Sequence, residues 1–229
     1  PVDKVSREAN FKEWFKGSVV ADDAGEPMVM YHGTKGDFEE FSKSKGSSAS
    51  RAKDGKEGFF FSPDSKIAAE YSEFANNKNW AKYEKALDDW KKKDITFEEF
   101  KKTEEWFSKL SIEETKRTGI TNQNIMPVYL DMKNPKIISH MKQYNEEAFK
   151  FEIPYAKEQG YDGVIFKNIE DRVSAGEWKG ANDTYVVFEP NQIKSVNNKG
   201  TFSKENSNIV YSQGAGLAYG VEEDEDGNI

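Results

Sequence analysis

Short apolar runs closed by turn-forming residues constrain this chain most. "PMVMYHG", "GFFFS", "IMPVYLDMKNPKII", "YDGVIFKN" and "TYVVFEP" are rich in aromatic and branched residues and bounded by Gly, Pro, Asn or Asp. That pattern predicts strands, with the third run broken at Asn134-Pro135. Helical patterns fall between them. "SREANFKEWF" sets Phe11, Trp14 and Phe15 on one helical face. "SPDSKIAAEYSEF" predicts a helix that Ser62 or Asp64 can cap, with Pro63 or Ser65 in its first turn. "EEAFKFEIPYAKEQG" includes a helix that stops near Gly160. Strands and helices mixed in this order read as an α+β fold.

Residues 76–118 differ in texture. Trp80, Tyr83, Leu87 and Trp90 lie at helical spacing, as do Phe97, Phe100, Phe107 and Leu110. Thr96 with Glu99, and Ser111 with Glu114, have the spacing of a capping box. The segment reads as a charged helical insertion, a lid or packing element within a domain spanning 1–212. "SKSKGSSASRAKDGKE" reads as a mobile basic loop, and residues 213–229 as an acidic, disordered tail or linker. The chain is expected to be part of a larger polypeptide.

Composition excludes several chemistries. There is no cysteine among the 229 residues, so disulfides and thiolate metal sites are ruled out. His32 and His140 are the two histidines and lie far apart in sequence, so no metal is expected. The net charge of -8 argues against a general nucleic-acid sleeve. No apolar run has membrane-spanning length and no signal peptide is visible, so no membrane partner is expected. The 14% aromatic content supplies area for a core.

The strand ending in His32-Gly33-Thr34 carries the functional reading. After a loop comes "GFFFSPDSKIAAEY", in which Phe60 precedes Tyr71 by eleven residues. A strand feeding a helix can bring these aromatics across a slot that takes a flat heteroaromatic ring. A histidine at the strand end can donate to a ribose hydroxyl, and the glycine leaves backbone open to an amide. That is chemistry for a nicotinamide riboside.

"YHGT", "GFFFSPDSKIAAEY", "YDGVIFKN" and "DTYVVFEPNQIKS", in this order, resemble the ADP-ribosyltransferases with a His-Tyr-Glu style site. The resemblance is closest to the version embedded in polyvalent proteins of phages and mobile elements. It runs from about residue 10 to 212, apart from the helical insertion. It implies two small packed antiparallel sheets around an NAD cleft. By this resemblance His32 binds a ribose hydroxyl, Gly33 holds the nicotinamide amide, and Phe60 and Tyr71 sandwich the ring. Thr34 and Ser62 join them as nucleotide-binding candidates. Ala68 falls where many relatives have a serine. Thr184 stands where polymerase-type relatives have the catalytic glutamate.

A carboxylate near the ribose would stabilise an oxocarbenium-like centre, which threonine cannot do. Asp183 could turn in, Glu177 could reach the site from the preceding loop, or the acceptor could bring its own carboxylate. Gln192 of "PNQIKS" can touch NAD or hold a turn. Arg51 and lysines 43, 45, 53 and 56 could attract the pyrophosphate. Asp162-Gly163 reads as a turn, and His140 as structural or exposed. The implied activity is mono-ADP-ribosylation, with NAD as substrate and a macromolecular acceptor, protein ahead of nucleic acid. The alternatives are an NAD glycohydrolase and a non-catalytic module of a phage virion or polyvalent protein. The implied location is a bacterial cytoplasm, as for a toxin-like effector, or a virion.

Overall fold

The computed structural model describes residues 2–34, 38–43, 57–76, parts of 82–106, 124–139, 146–170 and 181–211. Helix α1 (Lys4–Phe15) opens the chain, capped by Asp3, whose carboxylate accepts the Ser6 N–H at 3.0 Å. Strands β1 (Met30–Thr34) and β2 (Phe59–Phe61) follow, then α2 (Ser65–Asn76). The second half holds β3 (Asn124–Leu130), β4 (Pro135–Ile138), α3 (Glu146–Glu158), β5 (Gly163–Glu170), β6 (Ala181–Val187) and β7 (Ile193–Ser195).

The strands form two sheets, β1-β3-β7 and β2-β6-β5-β4. The first is antiparallel throughout. The second is mixed, because β4 runs parallel to β5. The expectation of two antiparallel sheets is corrected at that pair, where the connection crosses through α3 and so returns the chain in the same direction. The α+β class stands.

Alternation along each strand sorts the cores. Met30, Val128, Leu130, Ile193, Phe59, Phe61, Ile165, Tyr185 and Val187 fill the space between the sheets. The opposite face of the larger sheet packs Val164, Phe166, Val186 and Phe188 against Phe149, Ile153 and Ala156 of α3. The outer face of the smaller sheet is covered at one end by α1, whose Phe11 ring lies 4.8 Å from Tyr129. Trp14 is buried there beside Phe202. The other end of that face carries α2.

Local signals explain the boundaries. Asp64 caps α2, accepting the Lys66 N–H at 2.8 Å, while the Ser62 hydroxyl accepts the Asp64 N–H at 3.1 Å. α3 ends at Gly160, which has φ of 78°, and the Tyr161 N–H reaches back to the Ala156 carbonyl. Between α2 and β3, Thr96 and Glu99 form the reciprocal capping box that their spacing predicts. Trp90 stacks on Phe100 at 5.0 Å there. Ser111 and Glu114 lie outside the described residues.

Candidate functional site at the open edge of the first strand

β1 brings His32, Gly33 and Thr34 to the place where the two sheets part. Tyr31 exchanges both backbone hydrogen bonds with Ser62, at 2.8 and 3.0 Å. By the alternation of an antiparallel ladder, Gly33 directs its N–H and C=O to the same edge as Tyr31, where the bridge register sets it across from Phe60. The glycine is also required by packing. A Cβ on Gly33 would sit 2.0 Å from the Ala68 carbonyl oxygen and 2.8 Å from the Ser72 nitrogen of α2. The helix therefore passes against the bare backbone of β1.

Ser72 ties the end of that strand to its neighbour. Its hydroxyl donates to the Thr34 carbonyl at 2.9 Å and accepts the Asn124 N–H. The serine is thereby inserted into the last rung between β1 and β3. Thr34 is buried. Tyr71 precedes Ser72 on the same turn of α2 and is half-buried. Ala68 is buried.

His32 points between the sheets. Its ring lies 5.0 Å from Phe41, 5.4 Å from Phe61 and 6.4 Å from Phe38. Nδ1 stands 2.8 Å from the Phe60 carbonyl oxygen. A carbonyl only accepts, so Nδ1 carries the proton and, in the neutral ring, Nε2 is an acceptor. Burial pulls the imidazole below its ordinary value of 6.5, and the Phe60 carbonyl opposes this. Histidine was expected to donate to a ribose hydroxyl. With the neutral ring, Nε2 can only accept from one.

Phe60 supplies that carbonyl while its ring turns to the other face of the sheet, 6.2 Å from Phe149 of α3. Its stacking surface therefore faces α3, where the sequence reading set it opposite Tyr71 across a slot. Period-two alternation is the cause, since Phe59 and Phe61 take the inter-sheet face.

The same alternation separates the two candidates on β6. Tyr185 belongs to the inter-sheet core, so Asp183 shares its face. Thr184 lies opposite Phe166 and shares the α3 face with Val186. Asp183 binds the Lys167 ammonium through Oδ2 at 2.6 Å and the Asn168 N–H through Oδ1 at 3.0 Å. Lys167 and Asn168 together oppose Asp183, because the β5–β6 register slips between Phe166 and Ile169. This is a β-bulge, with Asn168 at φ of 54°. The contact with Asp183 raises the Lys167 ammonium above its usual range. Burial raises the Tyr185 phenol; Lys167 lowers it and Asp183 adds to the rise.

Gln192 lies elsewhere. Its side-chain oxygen accepts from the Phe188 and Glu189 N–H groups, at 3.0 and 2.8 Å. Its nitrogen donates to the Asp131 and Asp162 carbonyls, at 3.0 and 2.9 Å. All four positions of the amide are filled by backbone. This junction borders a cavity of about 550 Å³ lined by Asp131, Lys133, Lys157, Tyr161 and Glu189 among others. It sits at the ends of β3 and β6 remote from His32 and Asp183. Lys43 pairs with Glu189 at 2.7 Å. Glu177, His140, Lys45, Arg51, Lys53 and Lys56 lie outside the described residues. Among the described residues no group of three or more His, Asp or Glu could hold a metal ion, and no helix is long and apolar enough to cross a membrane.

The family model described as ADP-Ribosyltransferase in polyvalent proteins matches residues 22–202. The chain belongs to that family. No curated protein and no solved structure matches it. The family uses NAD as substrate. The matched region of this ADP-ribosyltransferase domain covers both sheets, α2, α3 and the segment between α2 and β3, and leaves α1 outside. Lys167, Asn168, Phe38 and Phe41 were not singled out from sequence. Asn168 carried a signal, because asparagine tolerates the left-handed conformation that a bulge requires.

Proposed function

We propose that this domain transfers a single ADP-ribose from NAD to a macromolecular acceptor, a protein ahead of a nucleic acid. The observation that carries the reading is the backbone edge of Gly33 on the side of β1 away from β3, beside a histidine whose Nδ1 proton is committed to the Phe60 carbonyl and whose Nε2 is left as acceptor. An amide such as that of nicotinamide offers the complementary N–H and C=O to that edge. A ribose hydroxyl can donate to His32 Nε2, and the Tyr71 ring can cover the nicotinamide. Asp183 is the carboxylate assigned to the sugar.

In the transfer, the bond between ribose C1′ and the nicotinamide nitrogen breaks, and its electron pair leaves with nicotinamide. The acceptor nucleophile bonds to C1′ from the opposite face and loses its proton. A nearby carboxylate lowers the barrier because positive charge develops on the sugar. Asp183 and not Thr184 has the charge and the face for this role.

Incubation with NAD labelled in the adenylate half, with and without host extract, tests the reading. Label in macromolecules together with free nicotinamide supports transfer. Free labelled ADP-ribose without extract identifies a glycohydrolase. NAD binding without nicotinamide release under any condition leaves a non-catalytic module. That last reading has its own motive: Asp183 is engaged by Lys167, and Ala68 brings no hydroxyl.

A further inference from the structure

We propose that Lys167 is a positioning residue of the transfer site, holding the Asp183 carboxylate on the inter-sheet face of β6. This rests on the reading that Asp183 serves the reaction. Aspartate lies close to its strand and has two side-chain torsions with which to miss a target. Here both its oxygens are restrained, one by the Lys167 ammonium at 2.6 Å and one by the Asn168 N–H at 3.0 Å. An ion pair on a regular two-stranded ladder would need no bulge. The bulge supplies the second restraint, because it turns the Asn168 amide toward Asp183 while Lys167 stays on the inter-sheet face.

The arrangement leaves the carboxylate chemically usable. A carboxylate has about four acceptor positions, and two are taken here. The other two can accept from ribose hydroxyls. His32 packs against the same face of the larger sheet. Tyr185 pairs in register with Phe61, whose ring is 5.4 Å from the His32 ring, and Asp183 is two residues along β6 on the same face. Lys167 is partly exposed, with 37% of its side chain accessible, and Asp183 less so at 22%. A pair this exposed contributes little to stability. Holding the carboxylate explains the bulge where stability does not.

The ammonium could instead merely mask the anion, and the two roles differ in sign. Lys167→Met, Lys167→Arg and Asp183→Asn should be compared for nicotinamide release from NAD, with melting curves to confirm folding. Positioning requires Lys167→Met to lower kcat by about tenfold to a hundredfold, with KM for NAD within about twofold. Lys167→Arg should restore most of the loss, and Lys167→Met should add nothing in an Asp183→Asn background. Unchanged or raised kcat in folded Lys167→Met, with Asp183→Asn inactive, overturns the positioning role and leaves the Asp183 assignment standing. Full turnover in Asp183→Asn, or none in the native protein, overturns the underlying reading and this proposal with it.

Discussion

His32 presents a neutral imidazole whose Nδ1 proton is committed to the Phe60 carbonyl. The ring also packs among Phe38, Phe41 and Phe61, so truncation to alanine would disturb core as well as chemistry. His32→Phe separates the two. It keeps an aromatic ring and removes Nε2, and nicotinamide release should fall at least about tenfold, the scale of one lost transition-state hydrogen bond. Retained turnover in that variant would remove Nε2 from the mechanism. Gly33 answers to a different constraint. Gly33→Ala places a methyl group 2.0 Å from a backbone oxygen of α2, which cannot rotate away. The expected loss is about 1–3 kcal/mol or more in chemical denaturation, with faster amide exchange in α2. An unperturbed unfolding midpoint would mean that α2 is not seated as described.

Elements meet at a few polar clips. Gln192 joins the end of β3, the start of β5 and the turn after β6 through four hydrogen bonds to backbone. Gln192→Ala strands those groups beside an open cavity, so water recovers part of the loss. Stability should fall by about 1–3 kcal/mol, while the folded fraction binds NAD as tightly as the native protein in calorimetry. Weakened NAD binding with unchanged stability would return Gln192 to the nucleotide site. Ser72 plays a comparable part between β1 and β3, where its hydroxyl replaces a direct rung of the ladder. Gly163 permits a further close approach, since a Cβ there would meet Met132 at 2.3 Å and the Val186 carbonyl at 2.5 Å. The aspartate before it accepts from the Lys133 and Asn134 N–H groups and so closes the turn into β4.

For the whole molecule, a buried lysine and a half-buried histidine shape the dependence of stability on pH. Lys194 lies on the outer face of β7 and is almost wholly enclosed. Its ammonium donates to the Asn206 carbonyl at 2.5 Å and approaches that of Asn208, which ties residues 206–208 to the sheet. Burial lowers it from 10.5 to about 8. Between those values the unfolded chain binds a proton that the folded chain has released, so stability rises with pH. The gain is about 3 kcal/mol at most. Lys194→Met should flatten the rise in urea titrations across that window. His32 acts in the same sense at lower pH. Its folded value lies below 6.5, so stability is full above 6.5 and falls as the unfolded chain takes up a proton that the folded chain excludes. His32→Phe should remove this acid-side loss. A native profile flat below pH 6.5 would contradict the neutral assignment.

Local pattern was sufficient for much of this protein. The strand runs, the break at Asn134-Pro135, the aromatic face of α1, the Thr96–Glu99 box and the stop at Gly160 are all decided by neighbours within a few residues. The ordered motifs likewise led to the family that the match over residues 22–202 shows. What the motifs could not specify was direction across the chain. Whether Asp183 or Thr184 takes the inter-sheet face depends on the phase of β6 against β5, and that phase is set by a bulge and a core on either side. Phe60 turned to α3 for the same reason, and its carbonyl, which no side-chain motif encodes, chose the histidine tautomer. In a strand each step of one residue reverses the face, so residue identity is written in the chain while the face it serves is decided only when the sheets pack.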